Sequence, residues 1–314
     1  MFDPATLDAL HKDIAPQSPD LPAPDQWRLA GEGLWGGVYD LGDGSALKIT
    51  RRHGGLGNGE ALHHREAQAL ALLDGLTTDY VRVPRLYGAA PFTNSYLGSA
   101  PPLAGWLRLE MLAGARLSTD AALTMPARSR DLLAERLGAA IADFNVQASA
   151  RAEAASSKLA DTITRSLALA RTQLGSADMH RAADAIAAAW ERKYSAGPLV
   201  FVHGDLNPGN IIDGGPDRPL GLVDFAESGW SLAETEFRHF EPLGAMRDSA
   251  FRGFTARRGQ APDMTAYYLA SAADALMTIA IRGNAGHPRD QMRRNGLLRH
   301  CLHEAGLEVG DPAQ

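Results

Sequence analysis

The stretch His203-Gly204-Asp205-Leu206-Asn207-Pro208-Gly209-Asn210 puts an aspartate and an asparagine five positions apart on a loop that follows an apolar run. Val223-Asp224-Phe225 then ends the next apolar run with a second aspartate. Phosphoryl transfer needs this set: one carboxylate to orient an attacking hydroxyl and take its proton, and oxygen ligands for magnesium. Pro208 and Gly209 favour a tight turn, which lets Asp205 and Asn210 face the same cleft. Each residue alone is an ordinary loop or strand-end residue. Together, with His203 and Phe225 at their flanks, they point to chemistry.

A second pattern precedes them. Gly31-Glu32-Gly33-Leu34-Trp35-Gly36 is a G-x-G-x-x-G, and it runs into Val38-Tyr39-Asp40-Leu41 and a turn, so a strand follows it where a dinucleotide-binding motif would have a helix. A glycine hairpin can bring backbone N–H groups close to nucleotide phosphates. The same pattern also suits a plain flexible hairpin. Lys48 lies between apolar neighbours in Ala46-Leu47-Lys48-Ile49, where it either faces solvent or contacts a phosphate. Glu66 on the next helix is the expected ion-pair partner that would hold the ammonium, with Glu60 as the alternative.

The elements that must position these residues fall into two regions. After a short helical pattern (Pro4 to Lys12) and a proline-rich lead-in, Trp27 to Thr50 alternates and breaks at glycines, predicting three antiparallel strands with a turn at Gly42-Asp43-Gly44. A glycine-rich loop, Gly54 to Gly59, leads to a helix over Ala61 to Leu73. Strands are expected at Val81 to Gly88 and Trp106 to Met111, then a hinge at Leu112-Ala113-Gly114. Beyond it come long alanine-rich helical patterns, interrupted by the apolar runs Leu199 to His203 and Leu220 to Asp224. Helical patterns resume from Leu232 to Leu307, with breaks at Pro242, Pro262 and Pro288. The expected domains are 1–112, including a lead-in over 1–26, and 113–314.

Composition narrows the function classes. With 314 residues, 45% of them hydrophobic, the chain can bury a sizeable core. The 31 basic against 37 acidic residues leave a charge of −6, which disfavours an obligate nucleic-acid binder. The single cysteine, Cys301, excludes an internal disulfide framework and reads as a buried helix residue in a reducing compartment. With no long apolar run and no basic-then-apolar N-terminus, the expectation is a cytoplasmic protein without a membrane partner. The histidines other than His203, including His63 and His64, read as surface residues.

In order along residues 31 to 224, these motifs resemble the kinase-like superfamily, and within it the aminoglycoside phosphotransferase and choline kinase branch of small-molecule kinases. The resemblance implies an α+β, protein-kinase-like two-lobed fold, with a small antiparallel-sheet N-terminal lobe carrying one helix and a larger helical C-terminal lobe. It implies ATP and Mg2+, Asp205 as catalytic base, and Asn210 and Asp224 as magnesium ligands. Gly31, Gly33, Gly36, Lys48 and Glu66 would serve the phosphates, and Glu110-Met111-Leu112 resembles the hinge whose backbone binds adenine, so Glu110 and Leu112 join the nucleotide set. Protein kinases usually carry His-Arg-Asp, Asp-Phe-Gly and Ala-Pro-Glu. Here Gly204 and Ala226 stand in the first two motifs and the third is missing, which favours the small-molecule branch. Asn207 stands where many aminoglycoside phosphotransferases have histidine, and Ser231-Leu232-Ala233-Glu234 replaces a frequent Gly-Asp-Pro.

The implied reaction is transfer of the γ-phosphoryl group of ATP to a hydroxyl of a small molecule, such as an aminoglycoside, amino alcohol or sugar-like acceptor. Glu227, Trp230 and Glu234 are candidate acceptor contacts, and Glu236, Glu241 and Asp274 add to an acidic set that would suit a cation. Competing readings are a non-catalytic nucleotide-binding regulatory module and an atypical protein kinase. The first would show loss of the base, a metal ligand or the lysine, and none is lost.

Overall fold

The computed structural model describes residues 2–53, 58–159, 161–282 and 288–307. Most of the Gly54 to Gly59 loop therefore lies outside the described residues. In chain order the first elements are α1 (Pro4–Ile14), β1 (Arg28–Gly33), β2 (Gly36–Asp40), β3 (Ser45–Arg51), α2 (Gly59–Leu73), β4 (Val81–Arg82), β5 (Leu86–Pro91) and β6 (Leu103–Glu110). There follow β7 (Ala115–Arg116), α3 (Thr119–Thr124), α4 (Ala127–Ala154), α5 (Thr162–Arg171), α6 (Ala177–Ala196), β8 (Val200–Val202), β9 (Ile211–Asp213), β10 (Leu220–Leu222) and β11 (Gly229–Ser231). The last helices are α7 (Ala245–Arg258), α8 (Met264–Arg282) and α9 (Pro288–Glu304).

These elements form two compact units. The first comprises 1–76, 83–113 and the four residues Val223–Ala226; the second takes 77–82, 114–222 and 227–314.

The first unit is built on an antiparallel sheet in the order β1-β2-β3-β6-β5. Strand alternation sends Leu47 and Ile49 of β3 to one face and Lys48 to the other. Leu47 and Ile49 join Tyr39, Leu41 and Trp106 in a core that also takes in Leu10 and Ile14 of α1, Leu21 and Trp27. The proline-rich lead-in is therefore part of the unit's core and not an appendage. Buried Arg108 ties it down, pairing with Asp20 at 2.7 Å and Asp43 at 2.8 Å and donating to Ser18. Helix α2 packs against β3, β5 and β6.

The second unit is mainly helical. Ile163 and Leu167 of α5, Ile186 and Trp190 of α6, Leu269 and Leu276 of α8, and Leu298 and Cys301 of α9 share one core. Helix α8 is, among the described residues, the one helix long and apolar enough to cross a membrane, and the burial of its Tyr267, Leu269, Ala272 and Leu276 accounts for that composition by packing. Helices α4 and α7 approach closely through two glycines: a Cβ on Gly253 would lie 1.9 Å from the Glu135 carbonyl oxygen. A Cβ on Gly138 would meet the Ala250 carbonyl oxygen at 1.8 Å.

The runs expected as strands near 200 and 220 form β8 and β10, but each pairs with very short partners that carry no alternation. Strand β10 lies between β4 and β9, β7 continues that sheet, and β8 pairs with β11. The region after Leu232 opens on short 3-10 turns at Ala233–Phe237 and Glu241–Leu243 before its helices begin.

Candidate active site

In the first unit the centre of the candidate site is Lys48. Its Nζ donates to Glu66 Oε1 at 2.8 Å and to Asp224 Oδ1 at 2.8 Å. Glu66 projects from α2 onto the sheet face opposite the apolar core, and it is fully buried at 1% exposure. The alternative partner, Glu60, instead pairs with Arg52. Burial alone would lower the Lys48 pKa, but Asp224 and Glu66 outweigh it and hold the ammonium well above the usual lysine range. Burial pushes Glu66 up, against the Lys48 cation that pulls it down. One cation thus faces two carboxylates, which leaves negative charge on the Asp224 side, where the side chain is 43% exposed.

Asp224 has a backbone φ of +70°, a left-handed conformation that L residues rarely adopt and that marks constrained sites. Its half-exposed carboxylate oxygens are hard donors of the kind magnesium prefers.

The glycine hairpin is the β1–β2 connection, with Gly31 opposite Val38 and Gly33 opposite Gly36. Only glycine fits at position 36, because a Cβ there would meet the Ile49 carbonyl oxygen at 1.9 Å. The Arg51 guanidinium donates to the Gly33 carbonyl and pairs with Glu32, so the hairpin is anchored to β3. At the end of β6, the Glu110 N–H donates to the Arg85 carbonyl at 2.9 Å, and its carboxylate accepts the Arg85 N–H. Leu112 follows in the irregular stretch before β7.

In the second unit, β8 leads into the His203 to Asn210 loop, and Pro208–Asn210 closes it with a 3-10 turn. Gly204 sits at φ +82°, with the Glu227 carbonyl oxygen 2.2 Å from where a Cβ would stand, so this position requires glycine. The Asp205 carboxylate is held from two sides. Asn210 Nδ2 donates to Oδ2 at 3.2 Å and to the Asp205 carbonyl at 2.8 Å, and Asn207 Nδ2 donates to Oδ2 at 3.3 Å. On the other oxygen, His239 Nε2 lies 2.8 Å from Oδ1, and the Arg238 Nε–H points to the same ring nitrogen at 3.2 Å. Burial would raise the Asp205 pKa; the hydrogen bond and charge of His239, with Arg238 and His203, outweigh it and hold the carboxyl at about 2. Because both donations use the Asn210 amide nitrogen, its oxygen is the atom that remains as an acceptor, a donor type that fits magnesium.

Beneath this loop lies Glu236, wholly buried. It accepts the His203 N–H at 2.7 Å, the Gly204 N–H at 3.2 Å and Asn145 Nδ2 at 3.3 Å. Burial pushes its carboxyl up to about 7. His203 supports the loop, its Nδ1 accepting the Asp205 N–H at 3.3 Å.

The histidine reading needs correction. His239 and His63 are not surface residues: His239 is packed between two carboxylates, and His63 is 5% exposed, with burial pushing it down to about 4. The signal that could have revealed His239 is the polar pair Arg238-His239 set inside the aromatic run Phe237 to Phe240.

The residues offered for a cationic acceptor are all engaged inside the second unit. Glu227 accepts Thr162 Oγ1 at 2.8 Å and pairs with Arg165. Glu234 accepts the Asp263 N–H ahead of α8. Glu241 is met by Arg247, Tyr267 and His300, and Asp274 by His239 and Arg238. Trp230 donates its indole N–H to the Ser157 carbonyl and meets Phe201 edge-on. Cys301 is buried, with its thiol pushed up to about 12 by burial, so it is no nucleophile.

Residues 39–267 match the model of the phosphotransferase enzyme family. The chain belongs to that family. The matched span contains Lys48, Glu66, Asp205, Asn210 and Asp224. Among solved structures, this phosphotransferase is similar to the wild-type aminoglycoside 2'-phosphotransferase-IIIa in its GDP complex, at 17% identity and a TM-score of 0.62, with 98% of this chain and 99% of that one covered. It is similar to APH(2")-IIa in its ternary complex with streptomycin and ATP, at 14% identity and a TM-score of 0.58 over 92% and 93% of the two chains. A choline/ethanolamine kinase family protein from Mesorhizobium loti aligns at 17% identity and a TM-score of 0.57 over 95% and 94%. A search of curated proteins finds no significant match. The likenesses show a shared fold, so this phosphotransferase has the α+β, protein-kinase-like fold expected from its motifs.

Proposed function

We propose that this phosphotransferase moves the γ-phosphoryl group of ATP to a hydroxyl of a small molecule, with Asp205 as the base. The observation that carries the reading is the Asp205 carboxylate: ionised, part-exposed, and fixed on both oxygens by Asn207, Asn210 and His239. A carboxylate so held can orient an acceptor hydroxyl and take its proton as the oxygen–phosphorus bond forms and the bond to ADP breaks. The transition state is loose, so orientation counts for more than basicity, and a carboxyl held at about 2 is sufficient.

Asp224 and Asn210 are the magnesium ligands in this reading, and the metal would neutralise phosphate charge. Lys48 would contact phosphate oxygens, with Glu66 fixing its ammonium. Gly31, Gly33 and Gly36 would cover the phosphates, and the backbone from Glu110 to Leu112 would meet the base. The relatives solved with GDP and with ATP support nucleotide use. The complete Lys48, Glu66, Asp205, Asn210 and Asp224 set weighs against a non-catalytic binding module.

Among acceptors, the charge-paired state of Glu227, Glu241 and Asp274 favours a sugar-like hydroxyl compound of low positive charge over a polycation. Coupled ADP release with MgATP and a panel of glucose, ribose, myo-inositol, choline, ethanolamine and kanamycin tests this. Turnover above the water background is expected with a neutral sugar or polyol, and turnover with kanamycin alone would overturn the acceptor preference.

A further inference from the structure

His239 lies 34 residues from Asp205 in sequence, yet the two side chains meet in the second unit. Its imidazole bridges two acids. Nε2 is 2.8 Å from Asp205 Oδ1 on the catalytic loop, and Nδ1 is 3.2 Å from Asp274 Oδ2 on α8. A ring with a carboxylate at each nitrogen donates from both only as the imidazolium. The imidazole side chain is 17% exposed, so solvent does little to weaken the arrangement.

The other charged groups nearby oppose or balance this. Arg238 competes for the same ring nitrogen: its Nε–H is directed at His239 Nε2 at 3.2 Å, its Nε is 3.7 Å from Asp274 Oδ1, and its Nη2 is 3.7 Å from Asp205 Oδ1. His203 faces Asp205 from within the loop, its Nδ1 accepting the Asp205 N–H at 3.3 Å. Burial would lower His239, but Asp274 and Asp205 outweigh burial and Arg238, and push it up to about 9.

We propose that His239, clamped by Asp274, is a positioning residue that holds Asp205 Oδ1 in place for the acceptor hydroxyl and sets the alkaline limit of turnover. This rests on the reading of Asp205 as the base. Asn207 and Asn210 fix one carboxylate oxygen from within the loop, and His239 fixes the other from a distant segment. Together they leave the carboxylate little rotation about its χ2 bond. Once the imidazolium loses its proton, Nε2 can accept the Arg238 N–H but cannot donate to Asp205, and Oδ1 is released. Asp274 acts one step further out: its charge favours the imidazolium and orients the ring.

The test is the pH profile of kcat from 6 to 10, read as ADP release with MgATP and the best acceptor of the panel above, for wild type, His239→Gln, His239→Ala, Asp274→Asn and Asp205→Asn. His239→Ala should lose roughly 10- to 100-fold in kcat with the KM for ATP little changed. His239→Gln keeps one donor, so it should recover most of that loss and show no alkaline limb near 9. Asp274→Asn should shift the limb to lower pH. Wild-type kcat and an unchanged limb in His239→Gln, with Asp205→Asn inactive, would overturn the positioning role alone; an active Asp205→Asn would overturn the base itself. An arm independent of turnover is the nitrogen-15 NMR of the imidazole in the free protein. Two protonated ring nitrogens at pH 7.5, with the charge lost earlier in Asp274→Asn, are expected, and a neutral ring would contradict the proposal.

Discussion

The two charge clusters of this phosphotransferase are built on opposite plans. In the first unit one cation, Lys48, serves two carboxylates, Glu66 and Asp224, so negative charge is left over. In the second, Asp205 and Asp274 are matched by Arg238 and His239, so the carboxylates are balanced. A surplus of negative charge on hard oxygen atoms suits a divalent cation. A balanced cluster suits orientation: Asp205 stays ionised and fixed but is made a weaker base. The first plan fits nucleotide and metal binding and the second fits alignment of an acceptor.

The sharpest way to break this contrast is to remove the cation of the first cluster. Lys48→Met leaves Glu66 and Asp224 facing each other without a counter-charge, and kcat/KM for ATP is expected to fall by about 10²–10³-fold, as for loss of one charge-stabilising donor. Steady-state kinetics with varied ATP check this; a change confined to acceptor KM would dissolve the distinction between the clusters.

A smaller effect is expected beneath the His203 to Asn210 loop. Glu236 is raised to about 7 by burial, above the ordinary glutamate value of 4.5. A raised pKa means the folded state binds the proton more tightly than the unfolded one. The associated stability is fully present below about pH 4.5 and is lost as pH rises through about 7. The melting temperature of the wild type relative to Glu236→Gln should therefore rise as pH is lowered from 8 to 5. A difference that stays flat over that range would show that Glu236 does not titrate there. Away from both clusters, Gly253→Ala forces a Cβ against the Glu135 carbonyl and should cost about 1–3 kcal/mol by overpacking. Turnover well below the melting temperature should not change, which thermal unfolding and kinetics on one sample can verify.

The same contrast separates what the sequence makes legible from what it hides. The members of the first cluster announce themselves locally: a lysine in an apolar strand, a glutamate on the next helix, an aspartate closing an apolar run. The His203 to Asn210 loop is legible for the same reason. Its bracing is not. His239 and Glu236 sit in a segment whose residue pattern resembles a helix, and only tertiary packing brings them to the loop, so the pattern suggests an acceptor contact for Glu236 and a surface position for His239. The packing of α1 against the sheet is hidden because a proline-rich segment separates it from the strands it covers. Strands β4, β7, β9 and β11 are two or three residues long, too short for a period of two to register.

The division of labour between the clusters is tested most directly by calorimetric titration of MgATP into Asp205→Ala, with ADP release followed on the same preparation. ATP affinity close to wild type with turnover abolished is the predicted result. Unchanged turnover, or loss of ATP binding in step with activity in a protein that melts like the wild type, would contradict it.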